Sequence, residues 1–305
     1  MTSTTCSEHL THPRPDGGIP RVAYPSLLLG MAALTAFTVV SVKTVHITIH
    51  AGITLAVNTA VACAMFVVSH EAMHHALGRR AWINEVVGRV AWFFVVPIAA
   101  WPAYRYLHRE HHKHTNDPDL DPDEFATHCK PWQIPIHWTF IEVFYARWYF
   151  KHLRARLQGR NRREIICEVI EVTVTIAGVV GVIAACAMTG HFIELGIIAL
   201  LPQRFGILLL AWWFDWLPHH GLHSTPRSDR YRTARMRIGL EWLMTPLTMS
   251  QNYHLIHHLH PWLPFYRYQE AWESHDERYL AYDPPLVSVL GTPMTAEEYR
   301  HRRDG

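Results

Sequence analysis

The sequence predicts an all-α membrane protein: four transmembrane helices beneath a cytoplasmic helical cap that carries a dinuclear histidine metal site. Three observations lead there. Long uncharged runs alternate with segments dense in Arg and His, although the mean hydropathy of the 305 residues is close to zero. The 28 Lys and Arg are distributed very unevenly between the segments flanking those runs, and 24 His are gathered largely into short clusters. With 49% hydrophobic and 18% charged residues, the composition excludes intrinsic disorder and argues against an ordinary soluble enzyme. A formal net charge of only +2 gives no continuous basic face for nucleic acid.

The first expected span runs from Val22 to Val42 without a charge, enough to cross a bilayer core that takes about 20 helical residues. The second runs from Thr44 to Ser69 and ends at His70. A third, Val172 to Ile193, is preceded on its helix by Glu168 and Glu171. The fourth, Leu195 to Phe214, is interrupted by Pro202, Gln203 and Arg204 and is the least regular. With an internal N-terminus, the internal segments 1–21, 71–164 and 215–305 hold two, fourteen and ten cations, which leaves only Lys43 and Arg204 elsewhere. Because cytoplasmic loops are enriched in Lys and Arg, both termini and the long polar regions are expected on the cytoplasmic face. The chain thus divides into a cytoplasmic tail (1–21), a membrane domain (22–280) and a C-terminal cytoplasmic tail (281–305), with Thr295 and Glu298 spaced as a capping box for a last helix.

Two shorter apolar segments, Val90 to Tyr104 and Trp132 to Phe150, read as interfacial or re-entrant. The Arg-rich stretch Lys151 to Arg163 reads as a solvated or headgroup-facing helix with no catalytic role. Cys6, Cys63, Cys129, Cys167 and Cys186 are odd in number and scattered, so neither a disulfide framework nor a thiolate metal site is expected, and a reducing compartment fits. The first 21 residues lack the short apolar core and cleavage site of a signal peptide.

The chemistry lies in the histidines. His70 and His74, four apart at the inner end of the second span, share a helical face. His108, His111 and His112 repeat that logic at i, i+3 and i+4, and His254, His257 and His258 repeat it again. A fourth element, Asp215 with His219, sits at the inner end of the last span, with Pro218 bending the turn between them. Nine histidines and one carboxylate exceed what one ion can use, whereas two ions can share them; imidazole suits Fe, Zn, Cu or Ni. Cation counting places all four elements on one side of the membrane, so they can converge. His75, His114, His220 and His260 adjoin the candidates as bystanders or supporting donors, and isolated residues such as His128, His137, His152, His191 and His275 read as surface or structural. Residues 70–74 also spell His-Glu-x-x-His, a zinc metalloprotease signature, but that reading leaves two clusters unused. A metal transporter would place its ligands at mid-membrane rather than at span ends.

These residues resemble the integral-membrane fatty acid desaturase and hydroxylase superfamily, from the first span to about Tyr268. Three passages, residues 108–123, 214–219 and 251–268, are most similar to desaturase-like β-carotene ring hydroxylases. The resemblance implies that His70 and His74 form the first histidine box, His108, His111 and His112 the second, and His254, His257 and His258 the third. It adds His219 as a further ligand and Asp215 where relatives carry an Asn near one metal. Glu71 stands where the family usually has Asp, and His75 would fit a longer first-box spacing found in some members. The implied cofactors are two non-haem Fe ions, with O2 as co-substrate. Zinc cannot supply the oxidising power that an unactivated C–H bond demands, whereas a pair of irons can, given O2 and two electrons. No flavin, haem or dinucleotide signature is present, so the electrons are expected from ferredoxin or a separate reductase. Arg227, Arg230, Arg232, Arg235 and Arg237 are expected to meet membrane lipid headgroups in preference to an acidic carrier. The expected reaction is hydroxylation of a carotenoid ring; desaturation of a fatty acyl lipid, using the same metal centre, is the alternative.

Overall fold

Four helices of the computed structural model, which describes residues 13–304, are long and apolar enough to cross a bilayer. They are α1 (Tyr24–Val45), α2 (Ala51–Met73), a helix at Arg162–Met188 and another at Phe192–His219. Between the second and third lie α3 (Ala81–Phe93), α4 (Trp101–His114) and α5 (Ile141–Lys151), so the two later spans are named α6 and α7. Cys6 and the first twelve residues of the N-terminal tail lie outside the described residues, and Cys63, Cys129, Cys167 and Cys186 are all free thiols, as the sequence predicts.

Local chemistry moves the span boundaries from those expected. The second span starts at Ala51 rather than Thr44, because residues 46–50 form the connection and the His50 ring accepts the N–H of Gly52 at 3.0 Å as an N-cap. It then continues to Met73, which puts His70 inside its last turn. Asn161 caps α6 by accepting the N–H of Glu164 at 2.9 Å, and the helix ends by Gly190, whose φ of +80° is a conformation glycine adopts freely. Ile193 therefore belongs to the fourth span and not the third.

The fourth span is unbroken despite Pro202 and Pro218, and the reason is visible in its backbone. Two π-helical turns, Gly196–Leu200 and Ala211–Trp216, precede the prolines and widen the helix. Proline cannot donate to the carbonyl four residues earlier; for Pro202 that carbonyl is Ile198, and it accepts instead from Asn58 Nδ2 on α2 at 2.8 Å. Arg204, the one cation inside this span, bonds the carbonyl of Thr139 at 2.6 Å and pairs with Glu142 at 2.8 Å. Replacing Asn58 by Ala is expected to cost about 1–3 kcal/mol, the penalty of an unpaired buried carbonyl, measured as thermal unfolding in detergent. The loss should shrink if the position of Pro202 is first opened by Pro202→Ala.

α2 is the central helix, with more than half of its apolar stretch buried, whereas the apolar stretch of α6 lies on the outside of the bundle. Around α2 gathers a first core that includes Phe66, Met73, Trp92, Leu107, Leu210 and Phe214. At Gly206 a β-carbon would come within 2.8 Å of the Ala62 Cβ, so α2 and α7 touch almost backbone to backbone. The segments expected to be interfacial form short helices with exposed apolar side chains, including Trp132, Phe140, Val143 and Phe150. The Arg-rich stretch is only partly solvated: Arg156 and Arg160 reach back to the buried Glu168 at 2.8 and 2.7 Å.

A second core, including Tyr253, Ile256, Tyr268, Trp272, Tyr279 and Tyr299, belongs to the residues after α7. The chain is mostly helical, but the all-α expectation misses three short strands. β1 (Met236–Ile238) pairs parallel with β2 (Leu286–Ser288), which pairs antiparallel with β3 (Pro293–Met294). Strands of two or three residues carry too little alternation to be read from sequence. The expected capping box forms: Glu298 N–H donates to Thr295 Oγ1 at 3.1 Å and Thr295 N–H to Glu298 Oε2 at 2.7 Å, opening the helix Ala296–Asp304.

Candidate metal centre

The clusters arrive on different elements but meet in space. α2 delivers His70 in its last turn and His74 at its C-cap. α4 delivers His108, His111 and His112, α7 ends on His219, and α8 (His254–Leu259) supplies His254, His257 and His258. Among the described residues, ring nitrogens of His70, His74, His108, His112 and His257 all lie within 4.8 Å of one another. Those of His111, His219 and His258 form a second such group, and His254 Nε2 stands 3.1 Å from His258 Nε2. The i, i+3, i+4 pattern explains the division: on α4, His108 and His112 turn to the first group, while His111 turns to the second.

Contacts behind four of the rings fix their orientations. His219 Nδ1–H donates to the carbonyl of Thr233 at 2.9 Å, and His254 Nδ1–H to Gln251 Oε1 at 2.7 Å. His111 Nδ1–H donates to Asp121 at 2.9 Å and lies 3.2 Å from Asp123, while His257 Nδ1 bonds the Tyr268 hydroxyl at 2.9 Å. A neutral imidazole that donates through Nδ1 presents a bare lone pair at Nε2. Nε2 atoms face inward in both groups. Nε2 atoms of His74 and His108 are 2.8 Å apart, those of His108 and His112 3.1 Å, and those of His112 and His257 3.0 Å. Nε2 of His70 and of His219 is buried without a hydrogen-bond partner.

Such an arrangement fits a cation. Nitrogens bound about 2.1 Å from one ion sit about 3 Å apart across a right angle, which is the spacing between these rings. Burial, and then mutual repulsion, hold His74, His108, His112, His254, His257 and His258 well below the usual histidine range, so they stand neutral and ready to coordinate. His111 differs. Burial opposes its charge, but Asp121 and Asp123 overcome that and raise it to about 9.

Asp215 is brought into neither group. It lines an apolar cavity of about 240 Å³ together with Phe66, Trp92, Tyr104, Tyr145 and Leu210. The cavity abuts the first histidine group, since Tyr104 stacks on His108 and Phe66 on His70. Its rim includes Ile98, Phe150 and Ile176, all exposed on the bundle surface. His75 has a φ of +59° just past the end of α2 and lies outside both groups, as do His114, His220 and His260; the last bonds Tyr279. Glu71, the would-be base of a metalloprotease motif, instead accepts the backbone N–H of Phe265 and ties α2 to the segment after α8. Sequence reasoning assigned no role to Asp121, Asp123, Gln251, Thr233 or Tyr268. Only the two aspartates left a signal, in the acidic run that follows the second cluster.

A family model described as fatty acid desaturase matches residues 45–289, a span that contains all three histidine clusters. The chain belongs to the fatty acid desaturase family. It is similar to sn-1 oleoyl-lipid 12-desaturases of Picosynechococcus sp. (24% identical over 238 residues, 68% of this chain and 64% of the relative) and Synechocystis sp. (25% over 254 residues, 70% and 65%). It is also similar to a beta-carotene ketolase of Haematococcus lacustris, 30% identical over 93 residues, which cover 29% of this chain and 27% of the relative. The chain spans just under two thirds of the length of the two 12-desaturases. The matched span takes in three of the four apolar helices and both histidine groups.

Proposed function

We propose that this chain is an O2-dependent, di-iron oxidoreductase that hydroxylates the ring of β-carotene or a related carotenoid. His70, His74, His108, His112 and His257 would hold one non-haem Fe ion and His111, His219, His254 and His258 a second, and the bound pair would supply the oxidising power for C–H cleavage. Asp215 lines the cavity and belongs to neither histidine group, so it would face the substrate. The balance is substrate C–H plus O2, two electrons and two protons, giving alcohol and water; the electrons come from ferredoxin or a separate reductase.

The observation that carries this reading is the apolar, aromatic-walled cavity that ends against the first histidine group and is rimmed by bilayer-facing side chains. It favours a lipophilic substrate entering from the membrane and keeps water from the reacting carbon. Tyr145 donates to Asp123 at 2.8 Å, which links the cavity wall to the carboxylates behind His111. Similarity to a carotene ketolase and to a zeaxanthin 4-ketolase of Chlamydomonas reinhardtii (38% identical over 63 residues, 19% of this chain and 13% of the relative) supports a carotenoid ring. The longer alignments to oleoyl-lipid 12-desaturases favour a second reading, removal of two hydrogens from an acyl chain. The uneven cation distribution supports a cytoplasmic location for the metal site and both termini, with residues 22–280 as the membrane domain between tails 1–21 and 281–305.

Expression in a host that accumulates β-carotene, with a compatible ferredoxin, tests the substrate. Carotenoids that gain one or two oxygen atoms by mass spectrometry are expected. Unchanged carotenoid with acyl chains lighter by two hydrogens would replace the first reading by the second.

A further inference from the structure

We infer that Arg235 and Arg237 form, with Gln251, a binding site for the phosphate group of a membrane lipid, separate from the substrate cavity. The two arginines, on and beside β1, line a small pocket of about 30 Å³ with Trp213, Thr248, Gln251 and Asn252. That volume admits about two water-sized groups, room for the two unesterified oxygens of a lipid phosphodiester. Neither arginine is in an ion pair among the described residues; Arg237 spends one nitrogen on the carbonyls of Ser288 and Val289, at 3.2 and 2.9 Å. Gln251 is 4% exposed, and because its Oε1 accepts from His254, its Nε2 amide is left as a buried donor without a partner. The indole N–H of Trp213 is likewise buried and unpartnered. Two guanidinium groups without a carboxylate partner and two unpaired neutral donors make a pocket that asks for an acceptor with negative charge.

The surroundings identify its source. The pocket is also walled by Met244, midway along the short helix Glu241–Leu247, and by Thr248 just beyond its end; that helix turns Trp242 (77% exposed) and Leu247 (63%) outward. Trp212 of α7 is exposed as well. Exposed tryptophan and leucine at the end of a membrane span mark the bilayer interface, the depth at which lipid phosphates lie. A phosphate seated there would meet the Gln251 amide whose other end holds His254, so lipid occupancy and the orientation of a candidate ligand are linked. The site stands independently of which substrate is oxidised, because its readout is lipid binding.

Native mass spectrometry of the purified full chain, titrated with phosphatidylglycerol or with a phosphate-free galactolipid, tests it. Wild-type protein is expected to retain phosphatidylglycerol, and R235Q/R237Q to bind it at least about 10-fold more weakly, the loss of charge-assisted hydrogen bonds. Galactolipid binding should be equal in both. Equal phosphatidylglycerol binding by wild type and variant overturns the site. Displacement of the lipid by millimolar inorganic phosphate would make it a soluble-anion site and overturn the lipid assignment. If the variant does not fold, the wild type decides alone: its thermal transition should rise with phosphatidylglycerol and not with galactolipid, and equal rises would refute the proposal.

Discussion

His257→Ala is expected to lower turnover by at least about 1000-fold and to leave no more than one tightly held iron per chain. The estimate rests on position. The residue brings α8 to the four histidines of α2 and α4, its Nε2 is 3.0 Å from that of His112, and its ring lies 4.4 Å from that of His70. Loss of an outer partner of a metal ligand typically costs about 10–100-fold, and loss of the ligand itself costs more. Removing the ring also opens a void at the seam between the two hydrophobic cores. Folding must therefore be checked, and His75→Ala provides the contrast: a neighbour of His74 outside both groups, it should retain nearly all activity and both irons. Iron analysis beside product formation decides the matter. Full iron content in His257→Ala would remove this residue from the ligand set, and with it the proposed first group.

Asp121→Asn is expected to weaken metal binding at the second group by about 10–100-fold without touching a proposed ligand. Asp121 accepts from His111 Nδ1 at 2.9 Å and from the backbone N–H of Asn116 and Asp123 at 2.7 and 2.9 Å, so the substitution removes charge while keeping most of the shape. The sign of the pH effect follows. In the metal-free protein His111 is protonated up to about pH 9, so a metal binding there must displace a proton, and affinity should fall as pH drops below that value. With Asp121 neutralised, His111 loses its proton at lower pH. The pH dependence should flatten even as the carboxylate's support of the imidazole is lost. Metal titration of wild type and variant at several pH values measures both changes; parallel pH profiles would show that the aspartate does not govern His111.

Much of this was legible in the residues because the relevant signals are local. Apolar runs of membrane-spanning length announce helices whatever they pack against, since a backbone in lipid must satisfy its own hydrogen bonds. Four-residue spacing puts His70 with His74, and His108 with His112, on one helical face before any tertiary contact exists. Where the local signal is weak, expectation and structure part. Pro202 in the fourth span reads as a break, yet Asn58, distant in sequence, supplies the missing donor and the helix continues. The short strands after α7 are invisible for a related reason: β1 and β2 exist only because a parallel partner lies on the other side of α8 in sequence.

The sequence by itself therefore determined that four helices are long and apolar enough to cross a bilayer and which histidines share a helical face, because hydropathy and helical period act over a few turns. Only the tertiary structure decided how those histidines divide. His257 joins the rings of α2 and α4, His258 joins His111 and His219, and Asp215 faces the apolar cavity. It alone also brought Asp121, Gln251, Thr233 and Tyr268 behind the rings. The physical reason is that neutral imidazole lone pairs about 3 Å apart repel one another unless a cation lies between them. Helices from distant parts of the chain hold them there with the help of the Nδ1 bonds of His111, His219, His254 and His257.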